Sequence, residues 1–427
     1  MSKNQTEKDN RLKQLLRTLT LFAIRIIGIP GARAAAQQAL PSSSPRVPPR
    51  APRILLIRPD HLGDLVLTTP VLHALKAHLP HATITMMVGP WSSEVVARHP
   101  AIDHLLLCPF PGFQRAPQKP LAPYTLLLSM AQQLRRDHYD LAINLRPDFW
   151  WGAALLYLAR IPRRLGYAIA PGTPFLSHPL LFQPPEQATT SNLRLASAAL
   201  ELLGASPLEQ PYTVEQYPLV FTPTPAEHDW VSARLALAGI AAGDPIVVIH
   251  PGTGAAVKLW RNTAWAACAN ALPGLLTSSA PLRIILTGSQ AERPMLEEIA
   301  RDMTTPPLLL TDMTVGQMAA VLQRAKLALG VDSGPLHLAV AQGTPTIHIF
   351  GPTDPRIFGP WGLPERNVVI ASTHRCPTCP SIPCGRLDFR PEELPAHPCV
   401  RLVSEQQVLE VIKTVLHMEA TTPTHTS

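Results

Sequence analysis

"RILLIRPDHLGDLVLTTPVLHALKAHLPHATITMMVG", Arg53 to Gly89, opens with a continuous apolar run, Arg53 to Arg58, of the kind made by a parallel strand buried on both faces. After the turn "PDHLGD", residues Leu62, Leu65, Val66, Thr69, Leu72 and Leu75 recur at helical spacing, and "ATITMMVG" is a second strand. Strand, helix, strand is the βαβ unit, so the chain is α/β with parallel sheets.

The alternation continues outward from that unit. "IDHLLLCP", a helix around Leu126 to Asp137, "YDLAINLR", a helix after Asp148 and "RRLGYA" complete one doubly wound series. A second begins at "PIVVIHPG" and runs through "LRIILTGS", "PLLLTD", "KLALGVD" and "TPTIHIFGP", with helical segments between the strands. The expected organisation is a basic amphipathic extension (1–37), a Pro/Ser linker (38–52), a first Rossmann-like domain (53–216), an interdomain helix and linker (217–244), a second Rossmann-like domain (245–403) with a Cys-rich loop (374–400), a closing helix (404–418) and a tail (419–427). A chain of 427 residues, 46% apolar, is long enough for two such cores.

The net charge of +7 is concentrated at one end. Up to Arg53, ten Lys and Arg face only Glu7 and Asp9, a balance of +8 that leaves the rest of the chain near −1. A broad basic face for nucleic acid is therefore not expected. "RLKQLLRTLTLFAIRIIGIPGA" mixes Leu and Ile with Arg at helical spacing, and its apolar run is too short to span a bilayer. It reads either as a helix lying on an anionic membrane surface or as one packed on the body. Cys376, Cys379, Cys384 and Cys399 crowd one loop, and without an export signal they read as a structural zinc site or as reduced thiols.

Ligands of such folds sit beyond the carboxyl ends of the strands, here in a cleft between two facing domains. Four loops at those ends hold the unusual polar residues. "RPDHLGD" offers Asp64 at a helix start, as cap or as functional acid. "HPGTGAAVKLWR" offers Gly turns, Thr253 and Lys258 to an anion, yet lacks the third Gly of a dinucleotide fingerprint and any G-K-[ST]. "LTGSQAE" offers Glu292. "VDSGPLH" places Asp332 at a strand end, Ser333 as the expected N-cap, Gly334 in the first turn with free amides, and His337 beside them, an arrangement suited to a phosphate. No D-x-D pair is present in these loops to hold a divalent ion, so Lys258 and helix amides would neutralise a leaving group. Acceptor contacts are expected from the first domain, with Arg146, Arg163 and Arg164 as candidates for glycolipid phosphates.

"RILLIRPDHLGDLVLTTPVLHALK", "HPGTGAAVKLW", "LTGSQAE" and "LGVDSGPLHLAVAQGTPTIHIFGPTDP" resemble, in order and spacing, glycosyltransferase family 9, the ADP-heptose:lipopolysaccharide heptosyltransferase family. The resemblance runs from about Arg53 to Met418. It implies a GT-B fold of two Rossmann-like doubly wound domains facing a central cleft. It also implies inverting transfer from a nucleotide sugar with no catalytic cofactor, at the cytoplasmic face of the inner membrane. By matching position, Asp64 is similar to the general base, Thr253 and Lys258 to diphosphate contacts, Glu292 and Met313 to residues holding ribose and adenine, and Asp332, Ser333, Gly334 and His337 to the phosphate-side loop; His61 receives no role. ADP-heptose is the donor this implies, and a lipopolysaccharide-type glycolipid the acceptor. The alternatives are transfer from another nucleotide sugar to a surface polysaccharide, or a non-catalytic nucleotide-binding module tethered to the membrane.

Overall fold

The computed structural model describes residues 3–38, 50–114, 119, 121–275 and 280–421, so most of the expected linker and tail lies outside the described residues. In chain order the elements are α1 (Lys3–Gln38), β1 (Arg53–Arg58), α2 (Leu62–Val66), α3 (Thr69–His78), β2 (Thr83–Val88), β3 (His104–Leu107), α4 (Ala122–Arg135), β4 (Leu141–Asn144), α5 (Trp150–Leu158), β5 (Arg163–Tyr167), β6 (His178–Leu180) and α6 (Ala188–Leu202). The second series is α7 (Pro225–Leu237), β7 (Ile246–His250), α8 (Asn262–Ala271), β8 (Arg283–Thr287), α9 (Arg293–Arg301), β9 (Leu308–Leu310), α10 (Val315–Arg324), β10 (Leu327–Val331), α11 (Gly334–Ala341), β11 (Thr346–Phe350), α12 (Pro355–Phe358), β12 (Asn367–Ala371) and α13 (Glu405–Thr421).

Two six-stranded sheets result, ordered β3-β2-β1-β4-β5-β6 and β12-β11-β10-β7-β8-β9. Every pairing is parallel. Each sheet begins in its middle, grows to one side, then returns to grow to the other. That is the Rossmann order, and its reversal puts a crevice between β1 and β4 in the first sheet and between β7 and β10 in the second.

The strands are apolar on both faces because both faces are covered. Ile54 and Leu56 of β1 join a core that also takes Ile246 and Val248 of β7, so one hydrophobic cluster runs through both halves. Leu55 and Ile57 face the other way, onto α4 and α5. In the second sheet Val247 and Ile249 pack with α8, α9 and α13.

The single helical run expected after β1 is two helices. Pro70 has no N–H to offer the Val66 carbonyl, and the Thr69 hydroxyl donates to that carbonyl instead at 2.8 Å. Thr68 Oγ1 donates to the Asp64 carbonyl at 2.7 Å. The break leaves α2 as little more than one turn, with Asp64 on it. β6, α6, α12 and β12 have no counterpart in the sequence reading; β6 is three residues long and edges its sheet, too short for an alternation to register.

Candidate active site

The two crevices face each other where α2 meets α11. A methyl group on Gly63 would lie 3.1 Å from Gly334 Cα and 3.0 Å from His337 Cδ2, and one on Gly334 would lie 2.9 Å from Gly63 N. The halves therefore touch backbone to backbone, and glycine at both positions is what permits it.

On the first half, Arg58 ends β1 with its guanidinium buried. It donates to the Leu145 carbonyl at 3.0 Å, to Asn192 Oδ1 at 3.2 Å and to Asp64 Oδ1 at 3.3 Å, and pairs with Asp60 at 2.7 Å. Asp60 also pairs with Arg146, which follows β4 and holds Asp148 at 2.8 Å. The chain Asp64, Arg58, Asp60, Arg146 thus spans the β1/β4 crevice. Burial lifts the Asp64 carboxyl from 3.8 to about 6, with Asp60 and Asp332 adding to the rise and Arg58 and Arg146 opposing it. A carboxyl at that value is ionised near neutrality and more basic than an ordinary aspartate, a property a general base requires.

On the second half, Asp332 follows β10 and accepts from Lys258 Nζ at 3.1 Å and from the Thr353 hydroxyl at 2.6 Å. Thr253 Oγ1 donates to the Asp332 carbonyl at 3.4 Å. Asp332 therefore fixes the ammonium of Lys258 over the β7/β10 crevice. Ser333 is extended at the start of α11, in N-cap position, but its side chain makes no cap hydrogen bond. Its Oγ and His337 Nδ1 are buried with no protein partner among the described residues. Burial lowers His337 to about 4, so the ring is neutral and one nitrogen can donate while the other accepts. A buried hydroxyl, a buried ring nitrogen and the orphan amides of α11 thus gather beside Lys258.

Glu292 is committed locally. Its carboxylate accepts from Ser289 N at 2.7 Å and Ser289 Oγ at 2.8 Å as part of a capping box, and it occupies the space a side chain at Gly252 would need. Met313 is part-buried, packed on the shared core just ahead of the cap of α10.

The three candidate acceptor arginines separate. Arg146 belongs to the network around Asp60. Arg163 and Arg164 instead open β5 at the amino edge of the sheet, in register with Leu141 and Ala142, away from the edge that carries Asp64. Arg164 is buried and donates to the Phe175 carbonyl at 2.8 Å and the Ile161 carbonyl at 2.5 Å, its guanidinium over the Tyr157 ring. The carbonyls consume its donors, so it is structural. Arg163 lines a separate cavity with Arg50, Arg135 and Arg160. In place of these two, an aromatic wall flanks Arg146. Phe113 lies under its guanidinium at 5.1 Å, Trp91 stacks on Phe113 at 6.4 Å, and His61 stacks on Trp91 at 6.0 Å.

Residues 127–385 match the family model for glycosyltransferase family 9 (heptosyltransferase). The chain belongs to glycosyltransferase family 9. It is a glycosyltransferase, and its two facing Rossmann-like domains are the GT-B fold. It is similar to the lipopolysaccharide heptosyltransferase 3 of Escherichia coli, 29% identical over 308 residues that cover 70% of this chain and 83% of that one. The lipopolysaccharide heptosyltransferase 1 of Pseudomonas aeruginosa is 24% identical over 327 residues, covering 77% of this chain and 86% of that one. Among solved structures, a family 9 glycosyltransferase from Veillonella parvula superposes with a TM-score of 0.69 at 21% identity, covering 87% of this chain and 99% of that one. The E. coli ADP-heptose lps heptosyltransferase II gives 0.62 at 19%, covering 86% and 100%.

The sequence reading passed over Asn192, Thr353, Trp91 and Phe113. Asn192 meets Arg58 across 134 residues of chain, so no local spacing announces it. Thr353 lies in "GPTDP", 21 residues beyond the Asp332 it holds, and nothing local marks that contact.

Proposed function

We propose that this family 9 enzyme transfers a heptose from ADP-heptose to a lipopolysaccharide-type acceptor by a single inverting displacement. The observation that carries the proposal is the meeting at Gly63 and Gly334 of a carboxylate of raised pKa with a cationic, amide-rich helix end. Asp64 takes the proton from an acceptor hydroxyl as its oxygen attacks the anomeric carbon. The bond from that carbon to the diphosphate oxygen breaks on the opposite face. The departing charge is met by Lys258, the Ser333 hydroxyl, the first amides of α11 and neutral His337, with no metal in the step. Arg58 holds Asp64 in place. Arg146, Trp91 and Phe113 form the side from which the acceptor sugar approaches, the rings offering apolar faces and the guanidinium a contact for acceptor phosphate.

No helix among the described residues is long and apolar enough to cross a membrane. Helix α1 lays Leu21, Ile24 and Ala32 on the core beside α5, and Tyr157 donates to the Arg25 carbonyl at 2.8 Å. Phe22, Ile26 and Ile27 face outward, flanked by exposed Arg25 and Arg33. We infer that this face rests on the anionic cytoplasmic leaflet, within reach of the glycolipid. Sedimentation with anionic vesicles that persists after Phe22, Ile26 and Ile27 are changed together to Ser would end that inference.

The test of the donor is calorimetry with ADP-heptose and with UDP- and GDP-sugars, EDTA present, followed by transfer to a purified lipopolysaccharide core. Binding and transfer selective for the ADP-sugar support the proposal. Transfer from another nucleotide sugar returns the donor to question, and ADP-sugar binding with no transfer to this core returns the acceptor to question.

A further inference from the structure

Between β12 and α13 lies a long loop, about Ser372 to Ser404, with only two short 3₁₀ turns of regular structure. Loops of that length without structure of their own are uncommon in compact domains unless something other than a core orders them. Its charged side chains pair at the surface, as Arg386 does with Asp388 and Glu393. Inside it, donors of one chemical kind converge. A ligand atom each from Cys376, Cys379 and His397 lie within 4.8 Å of one another. Cys379 Sγ is 3.3 Å from His397 Nδ1. Cys384 and Cys399 line the same small enclosure. All are free thiols. The imidazole is backed by Phe389, whose ring lies tilted against it at 3.8 Å and itself sits under Arg386 at 4.1 Å.

We propose that this loop is a metal centre for one tetrahedral, thiolate-bound ion, zinc(II) or iron(II), held by Cys376, Cys379, His397 and one of the flanking thiols, and that the ion braces the donor side of the active site. Three sulfurs and an imidazole form a donor set for soft or borderline ions in closed sites. Binding exchanges thiol protons for the ion and involves no oxidation: each bound cysteine loses one proton and His397 binds neutral. The sequence reading counted four cysteines. The structure adds His397, from "AHPCV", whose place beside Cys379 arises only when the loop folds back.

The brace follows from what touches the loop. Val257, adjacent to Lys258, lines the thiol enclosure. Val400 fills the space a side chain at Gly351 would need, and Gly385 N donates to the Pro352 carbonyl at 2.7 Å. Gly351 and Pro352 lead directly into Thr353, which holds Asp332 at 2.6 Å. Trp260 Nε1 donates to the Val403 carbonyl at 2.9 Å. The segments carrying Lys258 and Thr353 therefore both rest on the metal loop. This coupling depends on Lys258 being a donor contact; the metal content does not.

The full chain, purified under reductant, would be assayed for metals by plasma mass spectrometry, stripped with a strong chelator, and reloaded with zinc, iron(II) or cobalt(II). We expect stoichiometric zinc or iron, tetrahedral thiolate absorption bands with cobalt, and loss of both in Cys376→Ser/Cys379→Ser but not in Cys108→Ser/Cys268→Ser. His397→Ala is expected to keep the fold and weaken cobalt binding with an altered spectrum, which serves if the double variant fails to fold. Metal removal should lower the melting temperature and weaken ADP binding several-fold, with both restored on reloading. A folded, reduced chain that neither carries nor takes up these ions, or metal retained by the double variant, overturns the site. Stoichiometric metal whose removal leaves ADP affinity unchanged overturns the brace.

Discussion

Replacing Asp64 by Asn separates a strained catalytic carboxylate from a structural one, because the two make opposite predictions for stability. Lifting the carboxyl from 3.8 to about 6 corresponds to about 3 kcal/mol against its ionised form in the fold. The side chain keeps 29% exposure, and solvent screening brings the expected figure nearer ~2 kcal/mol. A folded-state pKa above the unfolded value means that protonation favours the fold. The penalty is therefore fully present above about pH 6 and fades as pH falls towards 4. Asn is nearly isosteric and carries no charge, so at pH 7.5 the variant should be more stable than the parent by ~2 kcal/mol, and at pH 4.5 the advantage should shrink to about 1 kcal/mol. With an unfolding entropy of roughly 2 cal/mol/K per residue, the gain at pH 7.5 is about 2 °C in melting temperature if the chain melts as one unit, as the shared core suggests. Turnover should fall by about 10²–10⁴, the usual worth of a general base, while ADP affinity is kept. Differential scanning at the two pH values, with single-turnover transfer, reads all of these. Loss of stability at pH 7.5 would mean that the pairing with Arg58 outweighs burial, and unchanged turnover would remove Asp64 from the mechanism. In the parent enzyme kcat/KM should fall as pH drops through about 6, since only the ionised carboxylate accepts a proton.

Lys258→Ala should lower kcat by about 10²–10³ through lost charge at the leaving group, read by steady-state kinetics; unchanged kcat and donor affinity would exclude the role. Gly334→Ala places a methyl 2.9 Å from Gly63 N and should pry α2 from α11, cutting kcat/KM at least tenfold while each half keeps its secondary structure by circular dichroism. Wild-type activity there would show that the glycine contact does not set the geometry. Arg164→Ala should destabilise by about 2–3 kcal/mol through unpaired carbonyls at Phe175 and Ile161, with acceptor KM unchanged in the folded fraction. Arg146→Ala should raise acceptor KM, and should cost stability as well, because buried Asp60 then keeps only Arg58 as its cationic partner.

What was legible in the sequence follows from range. The strand Arg53–Arg58 announces itself because both faces are buried and six consecutive residues had to be apolar or terminal, and its carboxyl end then locates Asp64 within the same few residues. Glycine at 334 and proline at 335 mark the first turn of α11 for equally local reasons. Where a role depends on a residue far along the chain, spacing misleads. Arg163 and Arg164 stand next to each other in sequence, yet a strand direction decides which end of the sheet they occupy, and that end is the wrong one for an acceptor. Ser333 occupies the cap position, yet its hydroxyl caps nothing, and only the packing of α2 against α11 reveals that it stays buried beside His337. The same contact explains why the two acids facing each other, Asp64 and Asp332, have different characters. Asp332 is paired with the ammonium of Lys258 and accepts a hydrogen bond from Thr353. Asp64 has a single long contact to Arg58 and lies near two like charges. Of two carboxylates brought together from separate crevices, one is held by Lys258 and Thr353, while burial raises the other, Asp64, into the range the proposed proton transfer requires.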